Sequence, residues 1–316
     1  MSRAAAHPAA SPGDRSAGPD APPALGLWVD RHFRRLIVAP AVLVLLLIGL
    51  FPVVYSLIVS FQKINRRVED TSFQGFDNYA RLFGDDRFWE SILHTGAITV
   101  IALPLELVLG LLLAWLFLEK LPGRQVFVAL LLMPAVMAPF VAGAIWRLMF
   151  DNIFGPINQI LGWIAGEPQN VMWLVNNDPF TVYGAILVCE VWQWTPFMFL
   201  ILLAALSNVD RSLLEAAEID GASGWRVFRR IVLPAIRPVV LVALTIRGLD
   251  LIRLFDIVWA LTRGGPGNMT ETVSVFAYVK GFERFDISTT AALTFVVIVS
   301  LSIMLFVLLR RVEIGR

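Results

Sequence analysis

Residues 215–234 read EAAEIDGASGWRVFRRIVLP. This polar, arginine-bearing island lies between two long apolar segments, about Phe180–Leu206 and Val239–Leu261. A soluble chain would hide such segments in a core, whereas a membrane chain lays them in lipid and keeps the island outside. Composition decides between the two. The chain has 316 residues, 57% hydrophobic and 16% charged, with a mean hydropathy of +0.72; a soluble domain carries about 25% charged residues. A soluble core of this size would leave large apolar patches uncovered. The chain therefore reads as an integral membrane protein.

A membrane helix needs roughly 20 mostly apolar residues. Six runs qualify, at about 36–61, 92–118, 125–150, 180–206, 239–261 and 288–309. Several contain proline (Pro40, Pro52, Pro104, Pro134, Pro139, Pro196), which membrane helices tolerate where neighbours re-satisfy the backbone, so bends rather than breaks are expected. The ten-residue alternation of a membrane barrel is absent. The fold class is an all-α integral membrane protein with six transmembrane helices. Residues 1–30 are rich in Ala, Pro, Gly and Ser and lack the apolar run of a signal peptide, which predicts a disordered cytoplasmic tail ahead of a six-span domain at 31–316.

Lysine and arginine set the orientation. With the N-terminus inside, the inner segments hold five in the tail, two at Lys120 and Arg124, five from Arg211 to Arg237 and three at the C-terminus. The outer segments hold five in Gln62–Ser91, none in Asp151–Pro179 and three in Thr262–Ile287. Both termini are expected in the cytoplasm, which puts the loop 207–238 on the inner face. The outer loops are long enough for short interfacial helices, and Trp89, Trp163 and Trp173 suit the headgroup level or simple packing. Cys189, the single cysteine, reads as a buried structural thiol.

The island has legible local physics. Ser212-Leu213-Leu214-Glu215 fits a capping box, with Asp210 as the rival cap. Gly221 stands where a helix would end in a left-handed turn. A second helix is expected from about Ser223 to Leu233, with Trp225, Phe228, Ile231 and Val232 on one side, Arg226, Arg229 and Arg230 mainly on the other, and Pro234 ending it. Periodicity alone leaves two readings open: an amphipathic helix anchored to anionic headgroups, or a hairpin presented to a partner's groove.

The string EAA-EID-GA followed by I-x-L-P, with Gly221 and Ile231 ten positions apart, resembles the coupling-loop signature of bacterial ABC import permeases. The resemblance continues in EVWQWTPFMFLILLAALSNVDRSLLEAAEIDGA, in LFDIVWALTRGGPGNMTET and in GFDNYARLF, covering about Arg31 to Arg311. These segments look like the carbohydrate-uptake subgroup of the maltose, trehalose and glycerol-phosphate type. The resemblance implies a type I ABC importer permease fold and a loop that docks in a cleft of the ATP-hydrolysing subunit, through Glu215, Ala216, Ala217, Asp220, Gly221, Ala222, Ile231, Leu233 and Pro234. It implies Gly264, Gly265 and Pro266 as a periplasmic turn. The implied partners are a second permease subunit, most simply a heterodimeric one, two copies of an ABC ATPase carrying ATP and Mg, a periplasmic solute-binding protein and the lipid bilayer of the bacterial inner membrane. The maltose permease itself has extra spans and a large outer loop that this chain lacks, so maltose specificity does not carry over.

Span five reads RGLDLIRLFD, placing Arg247, Asp250, Arg253 and Asp256 three residues apart with alternating sign. Neighbours can meet at i, i+3, giving either a self-paired structural ladder or residues that line a solute cavity. Asp256 could instead orient the GGP turn. Span four adds Glu190, Trp192, Gln193 and Trp194, an aromatic and polar set that suits a sugar's apolar faces and polar edge, or simply helix packing. Glu106 has no partner assignable from sequence, and Arg147 is placed to snorkel. No P-loop, metal spacing or nucleophile–base pair is present, so the chain reads as a non-catalytic permease that binds no cofactor or nucleic acid and borrows its energy. The rival readings are an ion-coupled secondary transporter, a membrane enzyme or scaffold, and an ABC permease for a polyol, glycerol phosphate, amino acid, phosphate or peptide.

Overall fold

The computed structural model describes residues 24–64, 72–118 and 122–314. Most of the expected tail, together with Arg66, Arg67 and Lys120 among the charges that set the orientation, lies outside them. Helix α1 (Ala24–Ser60) runs through Pro40 and Pro52, so residues 24–30 are helical where a disordered tail is expected. The described residues up to Tyr55 form a unit by themselves, in which apolar side chains such as Leu45, Ile48 and Phe51 are exposed.

The second unit runs from Ser56 onward. It contains α2 (Asp77–Phe83), α3 (Asp86–Leu116), α4 (Arg124–Val136), α5 (Pro139–Met149), α6 (Pro156–Ala165) and α7 (Pro179–Ser207). The chain continues through α8 (Arg211–Ile219), α9 (Gly224–Val227), a π-turn at Phe228–Val232, α10 (Leu233–Ile252), α11 (Asp256–Leu261), α12 (Val273–Tyr278), a second π-turn at Val279–Glu283 and α13 (Ile287–Ile314). Among the described residues, five helices are long and apolar enough to cross a membrane, and a sixth span is made if α4 and α5 count as one. Among the described residues the only β pairing is an isolated bridge between Gln62 and Phe73.

Three expectations are corrected. Run 125–150 is not one bent helix: α4 and α5 meet at 97°. Pro139 opens α5, and Met137 and Ala138 before it are extended, at ψ 144° and 132°, because proline drives the preceding residue out of the helical region. Pro234 does not end the helix after the island. The widened turn sends the Leu233 N–H to the Phe228 carbonyl, an i→i+5 bond, and the helix then passes Pro234 in its first turn, where a missing N–H is tolerated. The polypeptide is consequently helical without interruption over Gly224–Ile252. Run 239–261 is in turn not continuous, since α10 stops at Ile252 and α11 begins at Asp256.

In lipid, helices associate through close packing rather than hydrophobic exclusion, which favours small residues at contacts. The pair α3–α7 forms the centre of this unit. A Cβ on Gly110 would stand 2.6 Å from Met198 Cβ, so the two backbones touch there. Around this contact cluster Ala114, Phe117, Met198, Phe199, Leu202 and Ile236. A second cluster joins Ile98, Ile186, Cys189, Ile257, Val258 and Val275 at the other end, and Cys189 is buried in it. Gly143 gives α5 the same closeness to α11, with a Cβ position 2.7 Å from Ala260 Cβ. Trp173 packs inside this second cluster against Phe150, whereas Trp163 is 85% exposed.

Candidate functional site

The island folds as a capped hairpin. Asp210, not Ser212, is the cap of α8: its carboxylate accepts from the Ser212 N–H at 2.9 Å. That bond holds the Asp210 carboxyl below the usual carboxylate range, with the Ser212 side chain adding to it. The helix ends at a left-handed Gly221, φ 67°. There the Ala222 N–H reaches the Ala217 carbonyl at 2.9 Å and the Gly221 N–H reaches the Glu218 carbonyl at 3.0 Å, the two bonds of a Schellman stop.

Of the expected docking residues, Ala217 is buried, Ala222 and Ile231 are half-buried, and Glu215, Ala216, Asp220, Gly221, Leu233 and Pro234 are exposed. Ile219 is 87% exposed beside them, so the hairpin presents small, apolar and acidic side chains outward together. Trp225 lies on the same side as Phe228, as the spacing predicts. It is 70% exposed and stacks on Phe228, which meets Trp115 edge-on. Arg226, Arg229 and Arg230 are exposed.

The intramembrane charges form a cluster that spans three helices rather than a ladder on one. Arg247 of α10 donates from Nε to Glu106 Oε2 at 2.7 Å and from Nη2 to Glu106 Oε1 at 3.0 Å. The same Nη2 reaches Glu190 Oε1 on α7, and the guanidinium lies 4.6 Å from the centre of the Trp194 ring. All three ionisable side chains are buried. Glu106, without a partner in the sequence, is the bidentate acceptor. The available signal was the complement of buried charges on different spans, one basic and two acidic, which no spacing within one helix reveals.

Asp250 and Arg253 pair with each other at 3.1 Å in the manner expected. Asp256 leaves that series because Leu254 and Phe255 break the helix before it. The GGP turn is held instead by threonines: Thr270 donates its hydroxyl to the Gly265 carbonyl and meets the Thr262 hydroxyl at 2.8 Å. Gly264 adopts φ 87° there, and the Gly265–Pro266 peptide is cis.

A cleft of about 350 Å³ opens onto this cluster and is lined by Glu190, Trp194, Arg247, Asp250, Arg253 and Asp256, among others. Among the described residues Glu190 Oε2 has no hydrogen-bond partner. Trp192 and Gln193 face elsewhere. Trp192 borders an apolar groove with Leu109 and Leu131 and meets Trp146 edge-on. Gln193 is buried and donates to the Met137 carbonyl at 3.0 Å, the group exposed by the α4–α5 break. The sequence put these residues together as one set, but adjacent helical positions point about 100° apart.

Comparison with known proteins agrees with this architecture. Residues 79–313 match the family model of binding-protein-dependent transport system inner membrane components. A protein of Sinorhizobium fredii named as a probable ABC transporter permease is 38% identical over 82% of this chain and 83% of its own. The trehalose/maltose transport system permease protein of Thermococcus litoralis is 36% identical over 85% of this chain and 90% of its own. A crystal structure of a bacterial ABC transporter involved in the import of the acidic polysaccharide alginate superposes with a TM-score of 0.75 at 20% identity, covering 92% of this chain and 98% of that one.

Proposed function

The chain belongs to the family of binding-protein-dependent transport system inner membrane components, and from that membership we propose its part in the transport cycle. It is a non-catalytic, multi-pass inner-membrane permease with the type I ABC importer fold. It forms half of the pathway for a sugar or sugar derivative, with both termini in the cytoplasm. A second permease subunit supplies the other half, two ATPase subunits supply ATP hydrolysis, and a periplasmic binding protein delivers the solute.

The observation that carries the coupling role is the continuity of the helix over Gly224–Ile252. At 1.5 Å per residue it is roughly 40 Å long. One end joins the hairpin at Gly221 and Ala222, and Arg247 near the other end holds Glu106 and Glu190 together. A push on the hairpin by a closing ATPase dimer therefore reaches the buried ion cluster and its cleft without crossing a loop. The π-turn at Phe228–Val232 keeps this lever whole past Pro234. The carbohydrate assignment draws on the trehalose/maltose relative and on the cleft, where Trp194 offers an aromatic face beside carboxylates and guanidiniums.

The test is solute uptake into vesicles carrying the complete complex. ATP without an ion gradient should drive accumulation of a carbohydrate, and only with the ATPase subunits present. Uptake driven by an ion gradient in the absence of ATP would establish a secondary transporter instead.

A further inference from the structure

We infer that the cleft flanked by Arg147 and Arg263 receives carboxylate side chains of the solute-binding protein, a reading that rests on the family membership and orientation given above. The cleft has a volume of about 430 Å³ and lies among the end of α5, the loop before α7 and the exit of α11. Arg147 occupies the last turn of α5. Arg263 follows α11 in the left-handed region, φ 56°, a conformation that L side chains avoid and that concentrates at functional sites. Both arginines are exposed, and among the described residues neither has an ion-pair partner.

The two cations are held together by construction. Gly143 brings α5 against Ala260 of α11, four residues before Arg147 and three before Arg263. The facing wall is equally fixed. Trp173 donates to Asn158 Oδ1 at 2.9 Å, and Asn158 donates to the carbonyls of Asn152 and Val171. Asp151 is the single acidic residue of the lining, and its Oδ1 already accepts the N–H groups of Ile153 and Phe154 at 2.9 and 2.8 Å. Two guanidiniums thus share a rigid cleft with one occupied carboxylate, an arrangement that favours an incoming anion.

The rim points to a protein as the source of that anion. Met172 and Val175 in the lining are exposed, as is the neighbouring Phe154, and arginine among methionine and aromatic side chains is the composition of protein interfaces. The wall at 151–152, 172–175 and 262–263 is irregular backbone, which does not face the hydrocarbon layer.

Arg147→Gln and Arg263→Gly test the inference in the reconstituted complex. Glycine relaxes the left-handed backbone at 263 while removing the charge, so a defect there is not a folding defect. The double variant should raise the half-saturating concentration of binding protein for ATP-driven uptake on the order of tenfold, the loss of two partly solvated ion pairs. Its salt dependence should flatten, and Arg147→Lys should keep wild-type behaviour. An unchanged half-saturation in the double variant, while the wild type still needs binding protein, overturns the inference alone. A shift that follows the anionic lipid content of the vesicles rather than binding-protein concentration also overturns it and assigns the arginines to headgroup phosphates. Wild-type uptake without any binding protein overturns the functional reading and this inference together.

Discussion

Arg247 and Glu106 stand 141 residues apart in the chain and meet through two hydrogen bonds of 2.7 and 3.0 Å inside the helix bundle. With Glu190 on the same guanidinium, they join α3, α7 and α10 at the cleft. Buried charges of this kind do little for net stability when intact, because desolvation opposes their attraction, but breaking them leaves an uncompensated charge.

Arg247→Ala should therefore destabilise the folded chain by about 3–5 kcal/mol, read as a lowered thermal transition in detergent. The triple change Arg247→Met, Glu106→Leu, Glu190→Leu should recover most of that stability yet fail to transport. Full transport by the triple variant would show the cluster to be purely structural.

Gly110 is a point of close approach between α3 and α7. A methyl there would sit 2.6 Å from Met198 Cβ and 3.0 Å from the Met198 backbone, so Gly110→Ala forces the helices apart. The expected cost is about 1–3 kcal/mol, measurable in the same unfolding assay. Gly184, with open space around its Cβ position, serves as the control, and Gly184→Ala should be near neutral.

At Gly221 the space is open and only the backbone objects, since a Cβ there would meet no atom within 4 Å but φ is 67°. Gly221→Val should leave membrane insertion intact and uncouple ATP hydrolysis from uptake, whereas Gly221→Asn, which tolerates the left-handed region, should retain most coupling. Wild-type uptake by the valine variant would count against the docking role of the hairpin.

Asp210 has a depressed carboxyl pKa because the Ser212 N–H and side chain favour its ionised form. Its contribution to the hairpin is present above the ordinary aspartate pKa of about 4 and fades as pH falls through the lower folded value. Amide exchange at Ser212, taken relative to its intrinsic rate at each pH, should accordingly rise in acid for the wild type. Asp210→Asn keeps a capping oxygen without a titrating charge and should not show that rise.

The sequence supplied what depends on neighbours along the chain. Apolar runs of sufficient length marked the spans, and the left-handed stop at Gly221 and the pairing of Asp250 with Arg253 followed from local geometry. Local competition between caps was readable but not decidable: Ser212 and Asp210 both offered an oxygen, and the backbone path gave it to Asp210. The same limit applied at proline. Pro139 begins a new helix and Pro234 does not end one, because a break depends on whether the freed carbonyls find other partners. Gln193 supplies one for the Met137 carbonyl, and just before Pro234 the Leu233 N–H supplies one for the Phe228 carbonyl.

What the sequence by itself determined is therefore the class of molecule, its helical segments and the local chemistry of the hairpin. Only the tertiary structure decided that Glu106 belongs to Arg247, that Trp192 and Trp194 serve different surfaces, and that Arg147 and Arg263 share one cleft. Helix propensity and hydropathy act over a few residues and so are written in order along the chain. Contacts between helices depend on how spans rotate and cross, and in this protein that is set by backbone approaches at Gly110 and Gly143, which no periodicity encodes.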